Sequence, residues 1–306
     1  MKTMAFSFLM LASFVFLEDA RAQQNFDAAK VEVEPVQGNV YMLTGGNVTV
    51  QVGPDGVLLV DTQFAPMAPK ILAAIRQLSS KPIRYIINTH VHGDHVGGNE
   101  ALATASQPPA TIIAHENLLK VMSAPPTGQR GDRAMTKGNW PTETYADRKT
   151  LHFNGEDIEL IHQPLAHSTG DTIVFFHGSN VVSCGDIYAS SRYPSYDPDG
   201  TIQGMIAGLN LIIDMITPPD KQGKGGTALI PGHGRVTHQP ELVAYRDMSV
   251  TLRDRIQGMI NKGMTIEQVK AAQPMKEYEP VYGGNRGVSS TDFVLEEMYK
   301  DLSRGK

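Results

Sequence analysis

The sequence predicts an α/β fold in which two β-sheets pack face to face and carry helices on their outer faces. Three observations lead there: short apolar runs rich in β-branched residues come in two separate sets, helical spacing appears between strands of the first set, and a long helical stretch closes the chain. In the first set, "VEVEPV", "NVYMLTGGNVTVQVG" and "GVLLVDT" are separated by Gly38, Gly45, Gly46, Pro54 and Gly56, which predicts a meander of three or four strands. "PMAPKILAAIRQLSS" then puts Ile71, Leu72, Ile75 and Leu78 at helical spacing, and "PIRYIIN" returns to a buried strand. The order recurs more loosely as a strand in "ATIIAH" and a helix in "ENLLKVM". A second set of strands follows in "KTLHFN", "EDIELIHQ", "DTIVFFHG" and "NVVSCGD".

The last third is helical. In "QPELVAYRDMSVTLRDRIQGMINKG", Leu242, Tyr245, Met248, Leu252, Ile256 and Ile260 recur every three or four residues, with Pro240 suited to the first turn and Gly263 to the end. Thr265 and Gln268 form a capping-box pattern that opens another helix, and "STDFVLEEMYKDL" is the last. Ser123 to Asp147 and Tyr188 to Gly200 are rich in Pro, Gly and polar residues, so both are expected to be surface loops, longer than connection requires. Trp140, Tyr193 and Tyr196 lie in them, where either an apolar substrate wall or ordinary loop packing is expected.

The N-terminus carries an address. Lys2 precedes an uninterrupted apolar run from Met4 to Leu17, shorter than the about 20 residues a membrane span needs. Ala20 and Ala22 then match an A-x-A cleavage site, so residues 1–22 are expected to be a secretory signal peptide and residues 23–306 one soluble domain with a helical C-terminal segment. A periplasmic or secreted protein follows, with no membrane association after cleavage. The formal net charge of −5 disfavours nucleic acid as a partner, because phosphate neutralisation needs clustered Lys and Arg. Cys184 is the only cysteine, which excludes an intramolecular disulfide.

Three of the ten histidines fall within His90 to His95, in "INTHVHGDHVGGNE". Alternation along an extended segment puts His90 and His92 on one side, and Gly93 lets the backbone bend before Asp94 and His95. Two imidazoles at i and i+2 can bind one cation, and the carboxylate with the third imidazole can bind another beside it. Further ligand types stand at other strand ends: His167 in "HSTGD", Asp186 in "CGD" and His233 in "PGHG", each after an apolar run. His152, His162, His177, His115 and His238 fit no such pattern and are expected to be structural or exposed, His238 being close enough in sequence to His233 to support it.

"HVHGDH" resembles the HxHxDH signature of the metallo-β-lactamase superfamily, and "HSTGD", "CGD" and "PGHG" follow in the order of its remaining ligand motifs over about residues 31 to 260. The resemblance implies an αββα four-layer sandwich with two metals at one sheet edge. It implies that His90, His92 and His167 hold the first metal, that Asp94, His95 and His233 hold the second, and that Asp186 bridges them. Asp61, at the end of "GVLLVD", would support the cluster from behind. Zinc is the default cation, two per chain, with Fe or Mn as the alternatives.

The activity so implied is hydrolysis of an amide, lactam, ester or lactone bond in a small-molecule substrate by a metal-bridging hydroxide, with Asp94 handling the proton. Departures from the branches narrow this. The main β-lactamase subclass carries Arg where this chain has His95 and Cys where it has Asp186, so the chain departs from that branch, and a β-lactamase-like protein with β-lactam hydrolysis only as a side activity is one alternative. Cys184 is two positions too early for that ligand and is expected to be a small buried strand residue. Lactonases place Tyr three residues after the bridging Asp, where this chain has Ala189. A mononuclear iron persulfide dioxygenase shares HxHxDH and is the rival from another class.

Overall fold

A computed structural model describes residues 26–125, 135–284 and 290–304. The expected signal peptide lies outside them. The first sheet orders its strands as in the chain: β1 (Val33–Gln37), β2 (Val40–Leu43), β3 (Val48–Gly53), β4 (Gly56–Val60), β5 (Ile83–Ile87), β6 (Thr111–His115) and β7 (Glu143–Tyr145). β1 to β4 are an antiparallel meander, after which the pairs β4–β5, β5–β6 and β6–β7 are parallel. Parallel pairing requires crossovers. These are α1 (Ala68–Leu78), then the two short helices α2 (Gly93–Val96) and α3 (Asn99–Thr104), then α4 (Glu116–Ser123).

The second sheet joins β8 (Arg148–Phe153), β9 (Glu156–Gln163), β10 (Asp171–Phe176), β11 (Val181–Ser183) and β12 (Ala228–Ile230) in the spatial order β12-β11-β10-β9-β8. Only β11 and β12 are parallel, and α5 (Ile202–Met215) makes their crossover. The chain ends in α6 (Gln239–Asn261), α7 (Ile266–Ala271), α8 (Glu279–Tyr282) and α9 (Thr291–Ser303).

Strand alternation divides the core into three layers. In β4, Leu58 and Val60 face Ile158, Leu160, Val174 and Phe176 of the other sheet, whereas Val57 and Leu59 pack under Ile71 and Ile75 of α1. In the second sheet Ile161, Ile173, Phe175 and Val182 face Ile206 and Leu209 of α5 and Leu242, Tyr245 and Leu252 of α6. Every residue of β4 and β10 is buried, which is why Val57 to Val60 and Ile173 to Phe176 are apolar without alternation. The result is helix, sheet, sheet, helix, the αββα arrangement.

Some expectations need correction. The segment Ser123 to Asp147 is not all loop, because β7 within it adds an edge to the first sheet through Ile113↔Glu143 to His115↔Tyr145; residues 126–134 lie outside the described set. Three residues with only one inward tyrosine carry too little periodicity to be legible. Asp94 and His95 lie within a turn of helix, α2, rather than after a simple bend. Among the described residues no helix is long and apolar enough to cross a membrane.

Candidate metal centre

The ends of five strands converge on one edge of the sandwich. β4 delivers Asp61, β5 runs out into His90 and His92, β9 leads to His167, β11 leads to Asp186 in a short turn, and β12 leads to His233. Between β5 and α2 the chain bends through Thr89 to Val91 and is extended at His92, which brings the His90 and His92 rings together with centroids 4.7 Å apart. α2 then turns Asp94 and His95 back over them. That turn needs the glycine pair: the Gly98 amide donates to the Gln63 carbonyl at 2.8 Å, and a Cβ on Gly98 would stand 2.3 Å from the Thr62 carbonyl oxygen. Gly232 has the same role beside Asp186, where a Cβ would lie 2.0 Å from Oδ1.

Ligand-type atoms form two groups. One atom from each of His90, His92, His167 and Asp186 lies within 4.8 Å of the others, and the same holds for Asp94, His95 and His233. Asp186 touches both. Its Oδ2 is 3.7 Å from His167 Nε2 and 3.4 Å from His233 Nε2, and its Oδ1 is 3.4 Å from His95 Nε2. Asp94 Oδ2 lies 3.4 Å from His233 Nε2 and 3.7 Å from His95 Nε2. The structure therefore brings together all eight residues singled out in the sequence, Asp61 standing behind the rest.

Whether cations fit is decided by where the ring protons sit. His167 Nδ1–H donates to the Ser195 carbonyl at 2.6 Å, which leaves Nε2 as a lone pair 3.1 Å from His92 Nδ1. His92 uses its other nitrogen, Nε2–H, on the Asp197 carboxylate at 3.0 Å, so two lone pairs face each other. His95 Nδ1–H donates to Asp61 Oδ2 at 2.7 Å, and His90 Nδ1–H donates to Thr89 Oγ1 at 3.0 Å. That leaves His90 Nε2 and His95 Nε2 buried without a partner, together with Asp186 Oδ1. Orphaned buried acceptors converging on one point carry a large desolvation cost unless a cation satisfies them, so the donor set fits divalent ions with nitrogen and oxygen preference.

Electrostatics agree. Burial, helped by neighbouring imidazoles, pushes the His90 pKa well below its usual value, and burial lowers His167 to about 4, so both rings offer lone pairs at neutral pH. Burial alone would raise Asp186, but His233, His95 and His167 outweigh it and hold this carboxyl well below the usual range. Asp94 is likewise pushed up by burial and drawn down further by His95, His233 and His92. Burial opposes charge on His95, yet Asp61, Asp94 and Asp186 push it up to about 10. Without cations the carboxylates recruit a proton to His95, and a cation would replace it.

Asp61 was singled out in the sequence, but Thr89, Asn88, Asn99, Asp197 and Ser195 were not. Asp61 accepts from the Thr89 amide at 2.8 Å and the Thr89 hydroxyl at 2.7 Å, so one carboxylate holds His95 directly and His90 through Thr89. It does this from a left-handed backbone, φ +65°, a conformation that Asp tolerates better than most residues. Asn88 and Asn99 exchange side-chain amide hydrogen bonds at 3.0 and 2.8 Å, and the Thr62 hydroxyl donates to Asn99, tying β4, β5 and α3 together beneath the histidines. Asp197 and Ser195 lie in the loop 188–200, where no pattern marks them. The asparagines that flank "THVHGDHVGG" were the one available signal.

Tyr193 and Tyr196 form no substrate wall: both are buried in the core under α5, α6 and α9, and Tyr193 Oη donates to the Met275 carbonyl. Trp140 is half-buried beside Val91 and Leu118, its indole N–H donating to Met135. Cys184 is fully buried, its thiol pushed up by burial, and it belongs to neither ligand group. His238 does not support His233; it starts α6, its Nδ1–H donating to the Thr227 carbonyl. His115 caps α4, and its ring stacks on His162 at 3.5 Å.

The family described as the metallo-beta-lactamase superfamily matches residues 35–237. Among curated relatives, the α subunit of 2,4-dinitroanisole O-demethylase from Nocardioides sp. (strain JS1661) is 31% identical over 173 residues, 54% of this chain and 49% of its own. A linear primary-alkylsulfatase from Pseudomonas sp. (strain ATCC 19151) is 23% identical over 277 residues, 74% of this chain and 50% of its own. The chain thus spans about half the length of these two relatives. Among solved structures, a metallo-beta-lactamase from Pontibacter korlensis aligns with TM-score 0.57 at 16% identity, over 71% of this chain and 99% of that one. The sec-alkylsulfatase Pisa1 from Pseudomonas sp. aligns with TM-score 0.63 at 16% identity, over 88% and 50%. These last two establish a shared fold.

Proposed function

Because the chain belongs to the metallo-beta-lactamase superfamily, we propose that it is an exported dinuclear zinc hydrolase acting on a small-molecule ester, lactone, amide or lactam. The observation that carries the two-cation reading is Asp186, whose carboxylate lies within 3.7 Å of nitrogens from both histidine groups. His90, His92 and His167 would hold one cation, and Asp94, His95 and His233 the other. A mononuclear iron dioxygenase would have no use for the second triad.

Two divalent ions supply a water of lowered pKa and neutralise charge developing on the attacked group. The chain's own contribution is Asp94, the more exposed of the two carboxylates, with a side chain about a quarter accessible against a tenth for Asp186. Held ionised by His95 and His233, it is placed to orient the attacking water and accept its proton. The curated relatives are named for an alkylsulfatase and an O-demethylase subunit, activities that concern bonds to oxygen, and this favours the ester side of the range.

Metal analysis of the purified protein is expected to give two zinc per chain, and a screen of alkyl sulfates, lactones, thioesters, β-lactams and phosphodiesters is expected to give turnover on esters of oxygen. One iron per chain with thiol-dependent oxygen uptake overturns the proposal. Asp94→Asn is expected to abolish turnover and weaken the second cation. Export rests on the N-terminal run and its A-x-A site. N-terminal sequencing of the periplasmic or secreted protein is expected to begin at Gln23.

A further inference from the structure

We propose that Asp197 is the positioning residue of the first cation, acting through His92 and His167, and that it makes this site separable from the second. The inference rests on the two-cation reading above. His92 is the most exposed imidazole of its group, at 14% of its side chain against 1% for His167, so packing alone fixes its ring least. Both Asp197 carboxylate oxygens lie 3.0 Å from His92 Nε2. The ring is therefore held with Nε2–H outward and the Nδ1 lone pair inward, toward His167 Nε2.

The same residue grips the other ligand by its backbone. The Asp197 amide donates to the His167 carbonyl at 2.7 Å, and two residues earlier the Ser195 carbonyl accepts from His167 Nδ1–H. One short segment thus sets the protonated nitrogen of both rings and ties them to each other. The fit is close: a Cβ on Gly200 would meet the Ala166 carbonyl at 2.4 Å and the His167 carbonyl at 3.0 Å. From outside, α9 and the residue that follows it hold the segment, with Arg304 donating to the Pro198 carbonyl at 2.7 Å and Asp301 accepting from the Ile202 amide at 2.9 Å. His95 is held instead by Asp61, from the opposite side. Removing the Asp197 carboxylate accordingly acts on one cation and spares the other.

The test is zinc binding by the full chain in zinc-buffered solution, with metal per chain counted and the cobalt-substituted protein followed by its absorption spectrum. Asp197→Ala is expected to weaken the first zinc by about 10–100-fold while leaving the second unchanged. Asp197→Asn, whose Oδ1 still accepts from Nε2–H, is expected to recover most of that affinity. Two zinc bound by Asp197→Ala with wild-type affinity, or equal weakening of both, overturns the proposal. Circular dichroism of each variant establishes folding; should the alanine variant not fold, wild-type or non-selective zinc binding by Asp197→Asn overturns it equally. Wild-type protein binding a single cation would instead refute the dinuclear reading.

Discussion

The two sides of the metal centre are held by different means. On one side His90 and His95 leave the first sheet and its adjoining helical turn, both nearly inaccessible, and converge on Asp61, with the Asn88–Asn99 amide pair locking the strands beneath them. On the other, His92 and His167 are oriented by Asp197 and Ser195, in a segment with no regular hydrogen-bond ladder, held in place by α9. The first side is built from parallel strand ends and tolerates little change. The second is built on a loop, where sequence can vary without disturbing the sheets. Change on that side leaves the sheets intact, yet it reaches the first cation through His92 and His167.

Chelation should erase the contrast altogether. Removing metal with a strong chelator is expected to abolish hydrolysis and lower the melting temperature, because His90 Nε2 is left buried without a partner and Asp94 and Asp186 lose the cations that neutralise them. Added zinc should restore both, as read by activity and thermal melting. Asp61→Asn comes next. It preserves the left-handed backbone but removes the shared charge, so both cations should weaken by about tenfold or more, whereas Asp197→Ala selects one. Equal behaviour of the two variants in zinc titration would show that the two sides of the centre are not held independently.

Gly98→Ala forces a Cβ against the Thr62 carbonyl and should destabilise by about 1–3 kcal/mol in chemical denaturation, with the cation held by His95 affected first. Asp301→Ala removes the acceptor for the Ile202 amide. It should cost about 1 kcal/mol and speed zinc loss only from the His92 site, measured by transfer to a chromophoric chelator. Cys184→Ser should change least. The thiol sits 3.8 Å from the Val182 carbonyl, a partner a hydroxyl can adopt, and zinc per chain should not change.

Legibility divides along the same line. The apolar runs of β4, β5, β10 and β11, the long helix α6 and the histidine motif all announce themselves, because each is a local pattern whose period or spacing reflects one physical demand. Two facing sheets with outer helices followed from the succession of those elements, and the αββα sandwich from the family resemblance. β7 escaped because three residues at a sheet edge need no pattern of their own. The tyrosines of the 188–200 segment were open to two meanings, since an aromatic in a loop looks the same whether it faces substrate or core; only packing against α6 and α9 decides.

By itself, the sequence determined that strand ends carry five imidazoles and two carboxylates in an order suited to metal chemistry, because ligand type and spacing are local properties. Tertiary structure alone decided which nitrogen of each ring points inward and what holds it there. Asp61 lies 34 residues from His95, and Asp197 lies 105 from His92, and no local rule pairs them. A hydrogen bond of about 3 Å between residues so far apart exists only once the sheets and their outer helices have packed.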